Sequence, residues 1–237
     1  MPRTFLLHAF SMALLAAASS TAQAIKVIDP VFYDLGPGPS PEPKHPCQGG
    51  FYQLTASDAQ HDQIGGLPMH DFYEFYTSEG VRSLGFTFYV TANPTIAPVQ
   101  TRYEVRFMAG DSTDTYFVRV DTRGQRTVNG LLVGNFQYGL YSGRADGLGS
   151  REVVVKTIAE PSYLYGGSSS VEYGDVIDFG VTKAELEALV PNAHGFDLGQ
   201  KLSRLQAFSY SKASVLQPAD TTRLGSYRLR LDQGCSR

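Results

Sequence analysis

The sequence predicts an all-β chain: an antiparallel β-sandwich of the jelly-roll or immunoglobulin-like kind, with one short helix. Three observations carry that expectation. Apolar residues recur with a period of two through most of the chain, polar turn segments interrupt the alternation at short intervals, and a single stretch bears helical punctuation.

Taken in order, the strands begin with "FYQLT" at Phe51 and "DFYEFYT" at Asp71. "LGFTFYV" places Leu84, Phe86, Phe88 and Val90 on one face, and "RYEVRF" sets Tyr103, Val105 and Phe107 against Arg102, Glu104 and Arg106. "TYFVRVD" groups Tyr116, Val118 and Val120, and "SYRLRL", near the end, groups Tyr227, Leu229 and Leu231. Such alternation suits a strand with one face in the core and the other in water. "RTVNGLLV", "FQYGLY", "REVVVKTI" and "LSRLQAFSY" complete the expected strands, while "AGDSTD", "DTRGQ", "ADGLGS" and "GGSSS" supply turns. The helix is expected in "TKAELEALVP". There Thr182 and Glu185 form a T-x-x-E capping box, Ala184, Leu186, Leu189 and Val190 give an apolar side, and Pro191 forbids continuation.

Ahead of the strands lie two segments of different composition. Residues 1–24 read as a signal peptide: Arg3 gives a positive start, "FLLHAFSMALLAAA" an apolar stretch, and "TAQA" a small-x-small cleavage pattern ending at Ala24. That stretch is too short for a bilayer span, so the expectation is export to a periplasmic or extracellular space with no membrane span. Residues 25–46 form an arm in which prolines 37, 39, 41, 43 and 46 remove backbone donors, so it reads as a linker or strap. The sandwich domain is expected over 47–237, roughly 190 residues, enough for one sizeable core.

Charge and cysteine content narrow the partners. The chain carries 20 Lys+Arg against 23 Asp+Glu, and losing Arg3 with the leader makes it more acidic still. Nucleic acid wants a basic face and is not expected as a partner. Two cysteines, Cys47 and Cys235, sit near the two ends of the domain. In an oxidising compartment such a pair is expected to form a disulfide, which brings both ends together. The loop-closure model credits a bridge over so long a span with about 5 kcal/mol.

No strong catalytic motif is present. H-E-x-x-H, the P-loop and G-x-S-x-G are all missing, and "GLYSG" places its serine one position too late for the last. His45 lies in the proline arm and His194 in "NAHGF", with nothing in the sequence to pair either with a nucleophile. Carboxylates that meet only in space, as in glycoside hydrolysis, leave no mark in a sequence, so a hydrolase stays open as an alternative.

The richest constellation is "SDAQHDQIGG" followed by "HDF". It crowds Asp58, Asp62, Asp71, His61 and His70 around a glycine-bearing turn. Hard divalent cations, calcium above all, collect several carboxylate and carbonyl oxygens. Three carboxylates gathered by one loop repel each other without a cation. Aspartate also favours turns in its own right, by accepting bonds from nearby backbone N–H groups, and composition does not separate the two readings.

The same region, "LTASDAQHDQIGGLPMHDFYEFYTSEGVRSLGFTFYVTA", resembles the opening of bacterial exported sandwich modules in which "DPxGDxxG" precedes "xDIxxVxVS" and a long apolar strand. These are the DOMON-like and family-nine carbohydrate-binding-module-like β-sandwiches. "TRYEVRFMAGDSTDTYFVRVDTRG" is similar to their paired strands, "VIDFGVTKAELEAL" to their strand-plus-helix, and "LGSYRLRL" to their closing strand. The resemblance matches Asp58 and Asp62 to the two acids of "DPxGD" and Asp71 to the acid before the apolar pair. It implies a calcium ion there, structural in role. This chain departs from the pattern in having Ala59 and His61 where the motif has Pro and Gly, and in a short spacing to Asp71.

By that resemblance the leading ligand is carbohydrate. The chain has no Trp but 14 Tyr. "YLYGG" (Tyr163, Tyr165) and "FQYGLY" (Tyr138, Tyr141) stand beside glycine-rich loops as the candidate ligand-binding surface, although strand tyrosines also serve to finish the core. The expected function is an exported, calcium-stabilised, non-catalytic binding module. Its alternatives are a structural or accessory subunit of an extracellular or periplasmic assembly, and a hydrolase with an unrecognised carboxylate site.

Overall fold

The computed structural model describes residues 47, 51–59, 62, 64, 68–91, 101–128, 131–145, 151–157, 163–167, 175–190, 194–211 and 217–232. The leader, the proline arm, His45, His61 and Cys235 lie outside them.

Among the described residues, twelve strands form two antiparallel sheets. The first contains β1 (Phe51–Ser57), β2 (Phe72–Glu79), β3 (Ser83–Val90), β9 (Asp175–Thr182) and β8 (Tyr163–Gly167), in that spatial order. In the second, β11 (Asp220–Thr221), β10 (Lys201–Tyr210), β4 (Arg102–Ala109), β5 (Thr115–Val128), β6 (Leu131–Tyr141) and β7 (Glu152–Thr157) follow one another, and β12 (Gly225–Arg228) also pairs with β10. The fold is an all-β sandwich, with one short α-helix among the described residues, α1 (Lys183–Glu187).

Period-two faces meet between the sheets. Phe72, Phe75, Phe86, Phe88 and Phe179 from the first sheet lie buried against Tyr103, Phe107 and Tyr116 from the second. The Phe86 and Phe107 rings sit 5.8 Å apart, and Phe88 and Tyr103 6.4 Å apart. Each such side chain contributes about 2–3 kcal/mol of transfer free energy, which is how a core without Trp is filled. The expected capping box forms: the Thr182 side chain accepts from the Glu185 backbone N–H, and the Glu185 carboxylate accepts from Thr182.

Two expected boundaries are corrected. "DTRGQ" does not end a strand, because β5 runs through it with a register shift between Asp121 and Arg126. "RTVNGLLV" is two strand ends, since Val128 pairs directly with Leu131 across Asn129 and Gly130. Asn-Gly is the dipeptide that two-residue hairpin loops favour. An irregularity in the ladder absorbed the first turn signal, and the second one passed for part of a strand.

The wet outer face expected for the large sheet is also corrected. Glu104, Arg106 and Arg119 are buried there, beside Phe117, Tyr141 and Phe208. Glu104 accepts from Arg106 Nε at 2.6 Å, from Tyr141 Oη at 2.9 Å and from Arg119 Nη1 at 3.3 Å. Arg119 also pairs with Glu152 at 2.5 Å. The Arg106 guanidinium lies 4.5 Å from the Tyr141 ring centre and 4.3 Å from that of Phe208. Burial of these charges is tolerable because each has a partner of opposite sign and its hydrogen bonds are made.

Both ends of the domain converge on one residue. Phe51, four positions after Cys47, lies directly across the ladder from Glu79. Leu231, four positions before Cys235, donates its backbone N–H to Glu79 Oε1 at 3.1 Å. No cysteine is free among the described residues. Nor is any helix there long and apolar enough to cross a membrane.

Candidate metal centre

The acid-rich segment lies at one rim of the sandwich, where the two sheets are stitched together. Pro68–His70 forms a single 3-10 turn whose carbonyls are claimed by the core. Met69 O accepts from the buried Tyr103 hydroxyl at 2.6 Å, and His70 O from Ser209 Oγ at 2.6 Å. The turn closes with Asp71 N–H donating to Pro68 O at 3.0 Å, and Asp71 O accepts from Thr91 N–H at 2.9 Å. The backbone on both sides of Asp71 is thereby fixed before any side chain is considered.

Across the gap stands Asp220, which opens β11 in the other sheet. Its Oδ2 accepts from Phe72 N–H at 2.7 Å, and its Oδ1 from its neighbour Thr221 N–H at 2.7 Å. The adjacent Ala219 carbonyl accepts from Ile64 N–H at 2.7 Å. One carboxylate oxygen from each of Asp62, Asp71 and Asp220 falls within 4.8 Å of the other two. Asp71 and Asp220 are buried, whereas Asp62 is exposed. Asp58 flanks this trio at the end of β1, held by its own N–H on Tyr73 O at 3.0 Å. Its Oδ1 accepts from Ala59 N–H, while its Oδ2 is buried with no hydrogen-bond partner among the described residues.

Electrostatics match the crowding. Burial pushes the Asp220 carboxyl up to about 6, against the two N–H donors that favour its charge, and the Asp58 and Asp62 charges push the same way. Asp58 is also raised, by burial first and by its acidic neighbours Asp62 and Asp71 after that. Two buried carboxylates at such a separation repel by about 3 kcal/mol at an effective dielectric near 20.

The residues fit a hard cation. Oxygens bound to one calcium ion stand at most about 5 Å apart, and the trio meets that span. The donors are all carboxylate, which favours calcium over the nitrogen- and sulfur-preferring zinc. His70 is buried close by, but its Nε2 lies 3.0 Å from Thr101 Oγ1, and burial holds its pKa down. Asp58 Oδ2 is buried without a hydrogen-bond partner among the described residues, but it is not one of the three oxygens that come together.

Of the three expected ligands, Asp62 and Asp71 come together and Asp58 lies alongside. Asp220 was missed. It stands 149 positions from Asp71, in "PADTT", and only the pairing of β11 with β10 brings it to this rim.

The tyrosines divide differently. Tyr141 is 4% exposed with its hydroxyl on Glu104, which withdraws it from a ligand surface. Tyr138 is half-buried against the core. Tyr163 and Tyr165 pair across β8 and β9 with the core residues Phe179 and Ile177. His194 lies on the surface with Nδ1 3.2 Å from Asp197 Oδ2.

Compared with known proteins, the chain matches no family model, and no curated protein matches it.

Proposed function

We propose that this chain is an exported, non-catalytic binding module whose β-sandwich is stabilised by calcium at the Asp62–Asp71–Asp220 rim. The observation that carries this reading is the meeting, within 4.8 Å, of one carboxylate oxygen each from Asp62 in a loop, Asp71 just before β2 and Asp220 in β11 of the other sheet. A cation bound there ties β2 to β11, so binding energy becomes folding stability. Carbohydrate is the ligand class on the strength of the resemblance to exported sandwich modules. The test is calorimetric titration of chelator-treated protein with calcium chloride, followed by thermal melts and a glycan array. One calcium per chain with a raised melting temperature supports the reading, and absence of calcium heat removes it.

A second reading, an accessory subunit of an extracellular assembly, is favoured by β7, which ends the large sheet among the described residues. There Val153 and Val155 are 56% and 40% exposed. An uncovered edge can accept a partner's strand by main-chain hydrogen bonding. Pull-down of a defined partner with wild-type protein, lost on Val154→Pro, would favour this reading over the first.

A further inference from the structure

The outer face of the small sheet is built unlike an exposed one. Ladder register sets Ser78, Gly85 and Gly180 side by side across β2, β3 and β9, with Tyr76 and Thr87 in the next row. Their neighbours along the strands, Phe75, Phe86, Phe88 and Phe179, point the other way into the core, so the large sheet covers the opposite side. Yet Ser78, Tyr76 and Thr87 are only 3%, 7% and 8% exposed. An antiparallel sheet packed on one side leaves its other face wet, so burial to that degree needs a further segment of chain over the strands.

The chemistry of the face says what that segment must be. Glycine inside a strand weakens the sheet and marks where another backbone comes close, and here two glycines stand in adjacent interior strands. Ser78 Oγ is buried with no hydrogen-bond partner among the described residues, so its hydroxyl is a donor in want of an acceptor. Beside this floor, the Tyr89 ring centre lies 5.6 Å from that of Tyr76 and 5.7 Å from that of Tyr73. A glycine floor, a hydroxyl donor and a tyrosine wall together suit a polyproline II segment. Its proline rings pack on aromatic rings, and its carbonyls have no internal partners.

The chain carries such a segment in "GPGPSPEPKHP", residues 36–46. It ends at Cys47, four positions ahead of Phe51, and Phe51 and Tyr52 pair with Glu79 and Ser78, so the arm joins the sheet at the end of the glycine row. At three residues per turn, Pro37, Pro43 and Pro46 share one face of a polyproline helix. Eleven residues at about 3.1 Å each reach about 34 Å, against the roughly 10 Å that separate β2 from β9. We propose that residues 36–46 dock as a polyproline II strap across the Ser78–Gly85–Gly180 row. A strap carbonyl accepts from Ser78 Oγ, and proline rings pack against Tyr76 and Tyr89. The strap ties the arm to the small sheet and does not depend on the ion site.

The experiment uses the whole chain and two readouts. With p-benzoylphenylalanine in place of Glu42, irradiation should link the arm to residues of β2 or β3 in the same chain, located by mass spectrometry. Under native conditions trypsin cuts after Lys44 while the strap is undocked, so the rate of that cut follows the undocked fraction. Ser78→Ala removes the donor and should raise the rate about five-fold, the factor that one hydrogen bond carries. Far-UV circular dichroism checks that the sheet of this variant is intact. Were the hydroxyl truly without a partner, its removal would leave the fold as stable or more so, and the rate would not rise. Links to β2 or β3 within one chain, together with faster cutting in Ser78→Ala, support the strap. Links found only between two chains give the groove to a second copy's arm and overturn it. Links elsewhere in the chain, no links, or cutting of Ser78→Ala at the wild-type rate overturn it as well.

Discussion

The Lys183 ammonium meets the Glu79 carboxylate at 2.6 Å with both side chains fully buried. Around them, Tyr227 Oη and Arg230 N–H donate to Glu79 Oε2 at 3.0 and 2.8 Å, and Lys183 Nζ donates to Leu231 O at 2.9 Å. This cluster joins β2, the first turn of α1, β12 and the segment that follows it. A buried pair of this kind contributes modestly relative to an apolar substitute, yet breaking it leaves one charge alone in the core.

Glu79→Gln and Lys183→Met should therefore each cost about 3–5 kcal/mol, whereas the double variant should cost less than the sum. Urea melts of the three variants measure this. Additive losses would show that the two residues act independently.

A related expectation concerns the outer face of the large sheet. Tyr141→Phe removes the hydroxyl that Glu104 accepts at 2.9 Å but leaves both arginines in place. It should destabilise by about 1–2 kcal/mol, and glycan retention should not change. Glu104→Gln leaves Arg106 and Arg119 less compensated and should cost more, about 3 kcal/mol. Chemical denaturation ranks the two variants, and the reverse order would deny Glu104 its place at the centre of the network.

Much of this architecture was legible. Alternation is a local property, so the sequence alone assigns Leu84, Phe86, Phe88 and Val90 to one face, and all four are buried. The capping box at Thr182 and Glu185 was equally local. What escaped was whatever depends on the outer environment of a strand or on distant pairing. Alternation at Glu104 and Arg106 reports that they face away from the core, but it is silent on whether water reaches them. Asp62 and Asp71 were readable because they are close in sequence, whereas Asp220 enters by a two-residue strand with no motif of its own. The pairing of Val128 with Leu131 is signalled in the sequence by the Asn-Gly between them, but the flanks "RTV" and "LLV" also read as one apolar run.

The convergence of Phe51 and Leu231 on Glu79 bears on the cysteines. Four residues of chain on each side are ample to bring Cys47 and Cys235 to the separation a disulfide needs. Non-reducing peptide mapping should recover one Cys47–Cys235 species, and reduction should lower stability by about 2–5 kcal/mol. Recovery of two alkylated thiols from unreduced protein would rule the bridge out.

The last prediction concerns pH in metal-free protein. Folding raises the Asp220 carboxyl to about 6, because burial and the neighbouring Asp58 and Asp62 charges oppose its ionisation. The unfolded chain releases that proton near the ordinary aspartate value of about 3.9. Between the two values the folded state holds a proton that the unfolded state has lost, so stability falls as pH rises. The stabilisation is complete below about pH 4 and is lost as pH rises through about 6, a change on the order of 2–3 kcal/mol. In chelator, the wild-type protein should therefore gain stability relative to Asp220→Asn as pH is lowered from 7 to 4.5. Calcium should abolish that difference at pH 7, since the ion takes over the neutralising role of the proton. Parallel pH–melting curves for the two proteins in chelator would mean that Asp220 ionises normally in the fold. The repulsion that calls for a cation would then be absent from this rim.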